Sequence, residues 1–253
     1  MASGEESALI WTRPEPGARR PKFTRDQIAS TALAIADTEG FAAVSMRRIA
    51  GELGAGTMTL YYYVRTKDEL IALMDDAIMS EVLIPADEFP AHWYDALTAV
   101  ALRTWDVLMR HPWALYSLQN ATAGPNAMRH FEQSLAAVAG TGLDAPGKFA
   151  LLAMVDDYVH GNVLRSAEMR SAKEAAAPDE EAMEAAMRFA EQQFATGEFP
   201  HTQALFGGED PWGVFPRLIG DLSERDRFRY GLSVLLDGVA SRMGLGLPDP
   251  HMP

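Results

Sequence analysis

The chain has 253 residues, 48% of them apolar, with no cysteine and a net charge of −13, enough to bury a sizeable core in one large or two small domains. The missing cysteines exclude a disulfide framework and thiolate metal ligands, and they fit a reducing cytoplasm. The N-terminus has no long apolar core behind a basic start, so a signal peptide is not expected, and no apolar run reaches the roughly 18–20 residues that span a bilayer.

The pattern is helical nearly throughout. Residues 1–22 are polar, contain Pro14, Pro16 and Pro21, and read as a disordered arm. A first helix is expected from Thr24, where "TRDQ" has capping-box spacing, to Gly40, with Ile28, Ala32, Ile35 and Ala36 on one face. Ser45 caps a second helix with Met46, Ile49, Ala50 and Leu53 on its apolar side, ended by Gly54. After the turn "GAG", a short third helix covers roughly Thr57–Tyr63. A fourth starts at Thr66, where "TKDE" repeats the capping-box spacing, and stops before Pro85. Longer helices follow over His92–Arg110, Asn126–Ala139, Ala145–Lys173, Asp179–Thr196 and Arg225–Met243, with a short one from Pro112 to about Asn120 between the first two. Residues 197–224 are rich in Gly, Pro and aromatics and read as a mobile or disordered loop, and 247–253 as a tail. No strand alternation and no internal repeat appear. The fold class is all-α.

Helices two and three, joined by a glycine-containing turn, have the helix-turn-helix pattern, whose second helix enters the major groove of DNA. Charge placement agrees. From Thr12 to Lys67 there are nine bases against five acids, a net of +4, which leaves −17 on the rest of the chain. Taken alone, an uneven surface would explain that asymmetry equally well. Three consecutive tyrosines, Tyr61–Tyr63, cannot all bury their rings on one short helix.

"VSMRRIAGELGAGTMTLYYYVRTKDEL" resembles the signature of the tetracycline-repressor (TetR) family. Ser45, Arg47, Ile49–Ala50, Leu53–Gly54, Thr59–Leu60–Tyr61–Tyr62–Tyr63 and Lys67–Leu70 carry the match. It is strong over about 23–84 and looser over 92–246, where "YGLSVLLDGVASRM" resembles the family's C-terminal domain. The resemblance implies an N-terminal three-helix helix-turn-helix DNA-binding domain, 23–66, and a C-terminal helical ligand-binding and dimerisation domain, 67–246. It implies a regulator, most simply a repressor released by a small molecule, whose partner is a double-stranded, near-palindromic operator. By position, Tyr61 is a phosphate contact, and Tyr62 and Tyr63 are groove-facing aromatics. Ser45, Met46, Arg47, Thr57, Met58, Thr59 and Lys67 complete the expected interface. Arg47 can hydrogen-bond base edges, and Met58 offers only apolar contact, such as to a thymine methyl. Arg19, Arg20 and Lys22 either reach DNA or belong to a soluble tail.

The resemblance also implies a homodimer built on the long helix and the last one, with Phe149, Leu152, Val159, Phe228, Leu232, Leu235, Leu236 and Val239 as interface candidates. The same stripes could be plain core. An effector pocket is expected among Trp105, Met109, His111, Trp113, Tyr116, Phe131, Met154, Tyr158 and His160, suiting a flat, mostly apolar ligand. Ordinary core is the competing reading for each. His111, before Pro112, either caps a helix end or lies near the position of a ligand-contacting histidine in the tetracycline-binding members, with different flanking sequence. Asp156 and His160, one turn apart, form an acid–base pair or a simple surface hydrogen bond. The six scattered histidines and the lack of HExxH, GxSxG or a phosphate-binding glycine loop leave no catalytic constellation, metal site or cofactor to propose. A DNA-binding activator or architectural protein without a ligand is the alternative function.

Overall fold

Helix boundaries follow the capping chemistry. In the computed structural model, which describes residues 9–15, 23–117, 124–175, 180–207, 209, 213–214 and 223–248, the first long helix is α1, Arg25–Glu39. Thr24 and Gln27 close its capping box reciprocally. Ser45 caps α2, Met46–Glu52, by accepting from the Arg48 amide at 3.2 Å. Gly54 follows with φ +60, and the Ala55 amide reaches back to the Ala50 carbonyl at 2.8 Å, the left-handed helix ending that glycine permits. α3 is only Thr57–Tyr61. α4, Lys67–Val82, α5, Trp93–Arg110, and the single turn α6, Ala114–Ser117, continue the chain. After them come α7, Pro125–Ala137, α8, Ala145–Ala175, α9, Glu180–Ala195, α10, Pro200–Phe206, and α11, Glu224–Met243. No strand occurs among the described residues.

The chain divides into two compact units, Met1–Leu164 with Leu232–Pro253, and Arg165–Gly231. In the first, Ile28, Ala32, Ile35 and Ile49 bury the faces of α1 and α2, and Leu60 and Val64 anchor α3. Leu70, Leu73, Met74 and Ile78 of α4 are buried as well, so the three-helix headpiece and α4 have full apolar cores. In the second unit Arg170 of α8 pairs with Glu224 of α11. There Phe194 packs edge-on against Phe199 and Phe206, with centroids 6.2 and 6.3 Å away. The expected loop 197–224 therefore contains a helix, α10, whose Phe206 is buried against an aromatic neighbour. Most of 208–222 lies outside the described residues.

The expected disordered arm needs correction over residues 9–15, while 1–8 and 16–22 lie outside the described residues. Ile10, Trp11 and Arg13 hold this stretch in place, and Leu9, Thr12, Pro14 and Glu15 are exposed. Ile10 is buried at 3% exposure, and the buried Arg25 guanidinium donates to the carbonyls of Ile10 (2.9 Å), Arg13 (2.8 Å) and Tyr63 (3.3 Å). Arg13 forms a two-pronged pair with Glu69, both contacts at 2.8 Å. The second capping box is accordingly half formed. Thr66 accepts from the Glu69 amide, but the Glu69 carboxylate serves Arg13 and the Arg65 amide. Burial raises the Glu69 pKa, and these hydrogen bonds outweigh it, so the carboxyl is held below its ordinary value. The sign follows from that direction. The stabilisation is present above the unfolded carboxylate value of about 4.3 and is lost as pH falls through the folded one. Chemical denaturation of the parent and Glu69→Gln across pH 3–7 should show a stability gap that closes at the acid end. A gap independent of pH would refute the clasp.

Candidate nucleic-acid interface and ligand pocket

The headpiece sorts its residues by exposure. Tyr61 is 43% exposed, Tyr62 is 72% and Tyr63 is 5%. Helix α3 ends at Tyr61, and the backbone then turns so that the Tyr63 ring enters the core beside Val64. Tyr63 is therefore a structural residue, which corrects its expected place in the groove. Its carbonyl receives Arg25 and Arg13 instead. Met58, at 74% exposure, is the most exposed large apolar side chain of α3. Ser45, Arg47 and Lys67 are exposed, and Met46, Thr57 and Thr59 are half-buried at the ends of α2 and α3. Lys67 also sits 5.9 Å from the Phe41 ring centre, a cation–π distance.

The two adjacent arginines of α2 differ. Arg48 is bound by Glu39 at 2.6 Å and Glu52 at 2.7 Å, and the hydrogen bond from Arg48 lowers the Glu39 pKa. Arg47 has no ion pair among the described residues. Arg48 has its charge matched by two acids, whereas Arg47 presents an unmatched charge and its donors to an outside partner.

A second feature lies in the body. Helices α5, α7 and α8 line a half-open pocket of about 290 Å³. Its walls include Leu97, Val100, Phe131, Phe149, Leu152 and Val159, and its polar groups are Thr104, His130, Ser134 and Asp156. Phe131 and Phe149 are exposed, with ring centres 5.9 Å apart. Burial lowers the His130 pKa, and the hydrogen bond to Asp156 raises that of His160.

Of the expected ligand residues, only Phe131 lines this pocket. Trp105 is buried, and its indole N–H donates to Asn162 at 2.8 Å, tying α5 to α8. His111 and Trp113 both serve Asp37 of α1, at 2.8 and 2.9 Å, and Trp113 stacks on Phe41. These two rings fasten the headpiece to the body. Met109, Met154, Tyr158 and His160 are half-buried outside the lining, and the Tyr116 side chain lies outside the described residues. His160 instead holds Asp156 at 3.2 Å, which places the acid of that pair in the pocket wall and its histidine behind it.

The pocket is joined to the headpiece through α4. Asp76 of α4 caps α7 from outside that helix, accepting from the amides of Asn126 at 2.8 Å and Ala127 at 3.1 Å. Gly124 is required there, because a Cβ would overlap the Asp76 carboxylate and approach a Trp11 ring carbon to 2.7 Å. Further along α7, the Gln133 amide pairs with both backbone groups of Ile84 at 2.7 and 3.1 Å. Asp76, Gln133 and Asp37 escaped the sequence reading. A signal existed for Asp76, an acid within an apolar face, and for α7, which begins Gly-Pro with no capping side chain of its own.

A family model described as bacterial regulatory proteins, tetR family, matches residues 28–74. Another, described as tetracyclin repressor-like, C-terminal domain, matches residues 85–243. The chain belongs to the TetR family. This TetR-family chain is 35% identical over 249 residues to the HTH-type transcriptional repressor DrrR1 of Streptomyces coeruleorubidus, covering 95% of itself and 88% of that protein. It is 24% identical over 144 residues to the class E tetracycline repressor of Escherichia coli, covering 56% of itself and 68% of that protein. Among solved structures, ActR of Streptomyces coelicolor in complex with actinorhodin aligns with a TM-score of 0.60 and 26% identity, over 88% of this chain and 99% of that one. Apo ActR aligns with a TM-score of 0.60 and 25% identity, over 90% and 99%.

The expected TetR-family dimer face needs correction. Phe228, Leu232, Leu236 and Val239 are buried within the single chain, and Leu235 is half-buried. Phe149, Leu152 and Val159 line the pocket. None of the buried side chains can also face a second copy. The opposite side of each helix carries exposed residues. On α11, Tyr230, Val234 and Gly238 are exposed at helical spacing, and on α8 Gly161 and Leu164 are.

Proposed function

We propose that this TetR-family transcriptional regulator is a dimeric repressor, released from a near-palindromic operator by a small, mostly apolar molecule held among α5, α7 and α8. The observation that carries the reading is the fastening of α7, a pocket wall, by Asp76 to α4, the helix that leaves the headpiece, and by Gln133 to Ile84, two residues past the end of α4. A ligand that moves α7 moves α4 and with it the spacing of two headpieces. Ligand and operator would weaken each other reciprocally, by typically about 1–3 kcal/mol. The repressor named among its relatives supports the sign, and ActR with actinorhodin supports a ligand. The exposed faces of α8 and α11 suit the dimer. A Cβ at Gly161 or Gly238 would meet nothing within 4 Å, so another helix can approach closely.

The reading is tested by selection from a pool of random duplexes, then titration of the winner at several salt concentrations. A near-palindromic winner with a steep loss of affinity against salt is expected. Tyr62→Ala and Arg47→Ala should each weaken it by about 1–3 kcal/mol with little change in thermal midpoint. Tyr63→Ala should instead lower the thermal midpoint, because it empties core volume. No enrichment, or equal effects of all three variants on folding, would remove the headpiece from DNA recognition.

A further inference from the structure

We infer that the effector is an amphipathic cation, a flat apolar body carrying a basic nitrogen that Asp156 receives. The inference rests on the ligand-pocket reading above and adds its charge. It comes from an inventory of protons on the polar lining. The Thr104 hydroxyl donates to the Val100 carbonyl at 2.8 Å, and the Ser134 hydroxyl to the His130 carbonyl at 2.9 Å. Both retain only lone pairs for a ligand. Asp156, as a carboxylate, only accepts. His130 is kept neutral by burial, and its Nδ1 is buried with no hydrogen-bond partner among the described residues. Among the described residues of the lining there is no lysine or arginine.

Among the described residues the lining thus offers mostly acceptors, one ring N–H of the neutral His130, one negative charge at Asp156, and no cationic side chain to pair with an anion. A carboxylate or phosphate there would meet a like charge at the solvent-exposed Asp156 carboxylate. A protonated amine meets the opposite situation. His160 approaches only Oδ1 of Asp156, and Oδ2 has no partner among the described residues. The exposed rings of Phe131 and Phe149 add the electron-rich faces that favour a cation. The acidic remainder of the chain would also draw cations toward it.

The test uses three probes sharing one ring system and differing in charge at neutral pH: 9-aminoacridine, a cation, acridine, neutral, and acridine-9-carboxylate, an anion. Binding to the full-length protein is measured by equilibrium dialysis. The expected order is cation, then neutral, then anion. Asp156→Asn should weaken the cation about tenfold, as loss of one charge-assisted hydrogen bond would, and leave acridine unchanged. Asp157→Asn, a neighbouring exposed acid, should change nothing, and Phe149→Ala should weaken all three. Binding of all three without that order would overturn the cation while keeping the pocket. So would equal losses in Asp156→Asn and Asp157→Asn, which would mean general charge attraction. If none of the three binds, the aromatic-ligand pocket itself fails, and the cation inference with it.

Discussion

Asp76→Ala should lower the thermal midpoint by roughly 5–10 °C, the equivalent of about 2–3 kcal/mol in a chain of this size. Asp76 is buried, and one carboxylate oxygen accepts from two amides at the start of α7 while the other accepts from the Asn126 side chain at 2.9 Å. A helix start that receives its cap from another helix has no local substitute, and Gly124 and Pro125 supply none. Removing the carboxylate leaves those amides buried and unmatched. The loss should also reach function. With α7 detached from α4, ligand binding should alter operator affinity less than in the parent, even at saturating ligand. Asp76→Asn keeps an acceptor and should lose about half as much stability. Differential scanning calorimetry of the three proteins decides the matter. A midpoint within a degree of the parent in Asp76→Ala would show that the cap contributes nothing.

Arg25→Ala should be more damaging still, at about 3 kcal/mol or more, because one buried guanidinium gathers separate stretches of backbone. It holds the carbonyls of Ile10, Arg13 and Tyr63, and its own amide donates to Glu15 at 3.0 Å. Burial and the neighbouring Arg13 lower its pKa from the ordinary arginine value, so the cost of desolvation is met by the ring of acceptors around it. Arg25→Lys should rescue little, since an ammonium cannot span the same set. Removing residues 1–15 should destabilise the headpiece by a similar amount, and Arg25→Ala in that shortened chain should add only a small further loss. Additive effects in this cycle would mean that the arm and Arg25 act independently. Residues 9–15 therefore belong to the headpiece, although the prolines and polar composition of this stretch suggested a loose tail.

That mistake shows where reading the chain stops. Composition and proline content measure how much apolar area a segment can bury by itself. Residues 9–15 bury little, but Ile10 and Arg13 meet a site prepared by α1 and α4. Tyr63 failed for a related reason. Family position put it beside Tyr62, yet the helix ends two residues earlier and the turn sends the ring inward. The dimer residues failed because a stripe at helical period states that a face is apolar, not which neighbour covers it. On α11 that face is largely filled from within the chain, and on α8 Phe149, Leu152 and Val159 line the pocket, with the Phe149 ring exposed.

Local chemistry alone determined most of the helices, the caps of α1 and α2, the helix-turn-helix and the family, since each rests on residues within a turn or two of one another. Ser45, Thr24 and Gly54 act on their own backbone, and a 3.6-residue period reports burial without reference to anything distant. Only the tertiary structure decided which arginine of α2 stays free, where the pocket lies and how it is tied to the headpiece. Asp37 with His111, Asp76 with Asn126 and Arg13 with Glu69 join residues 50 to 74 positions apart. Pairings of that range depend on how helices pack, and no pattern within a single helix encodes them.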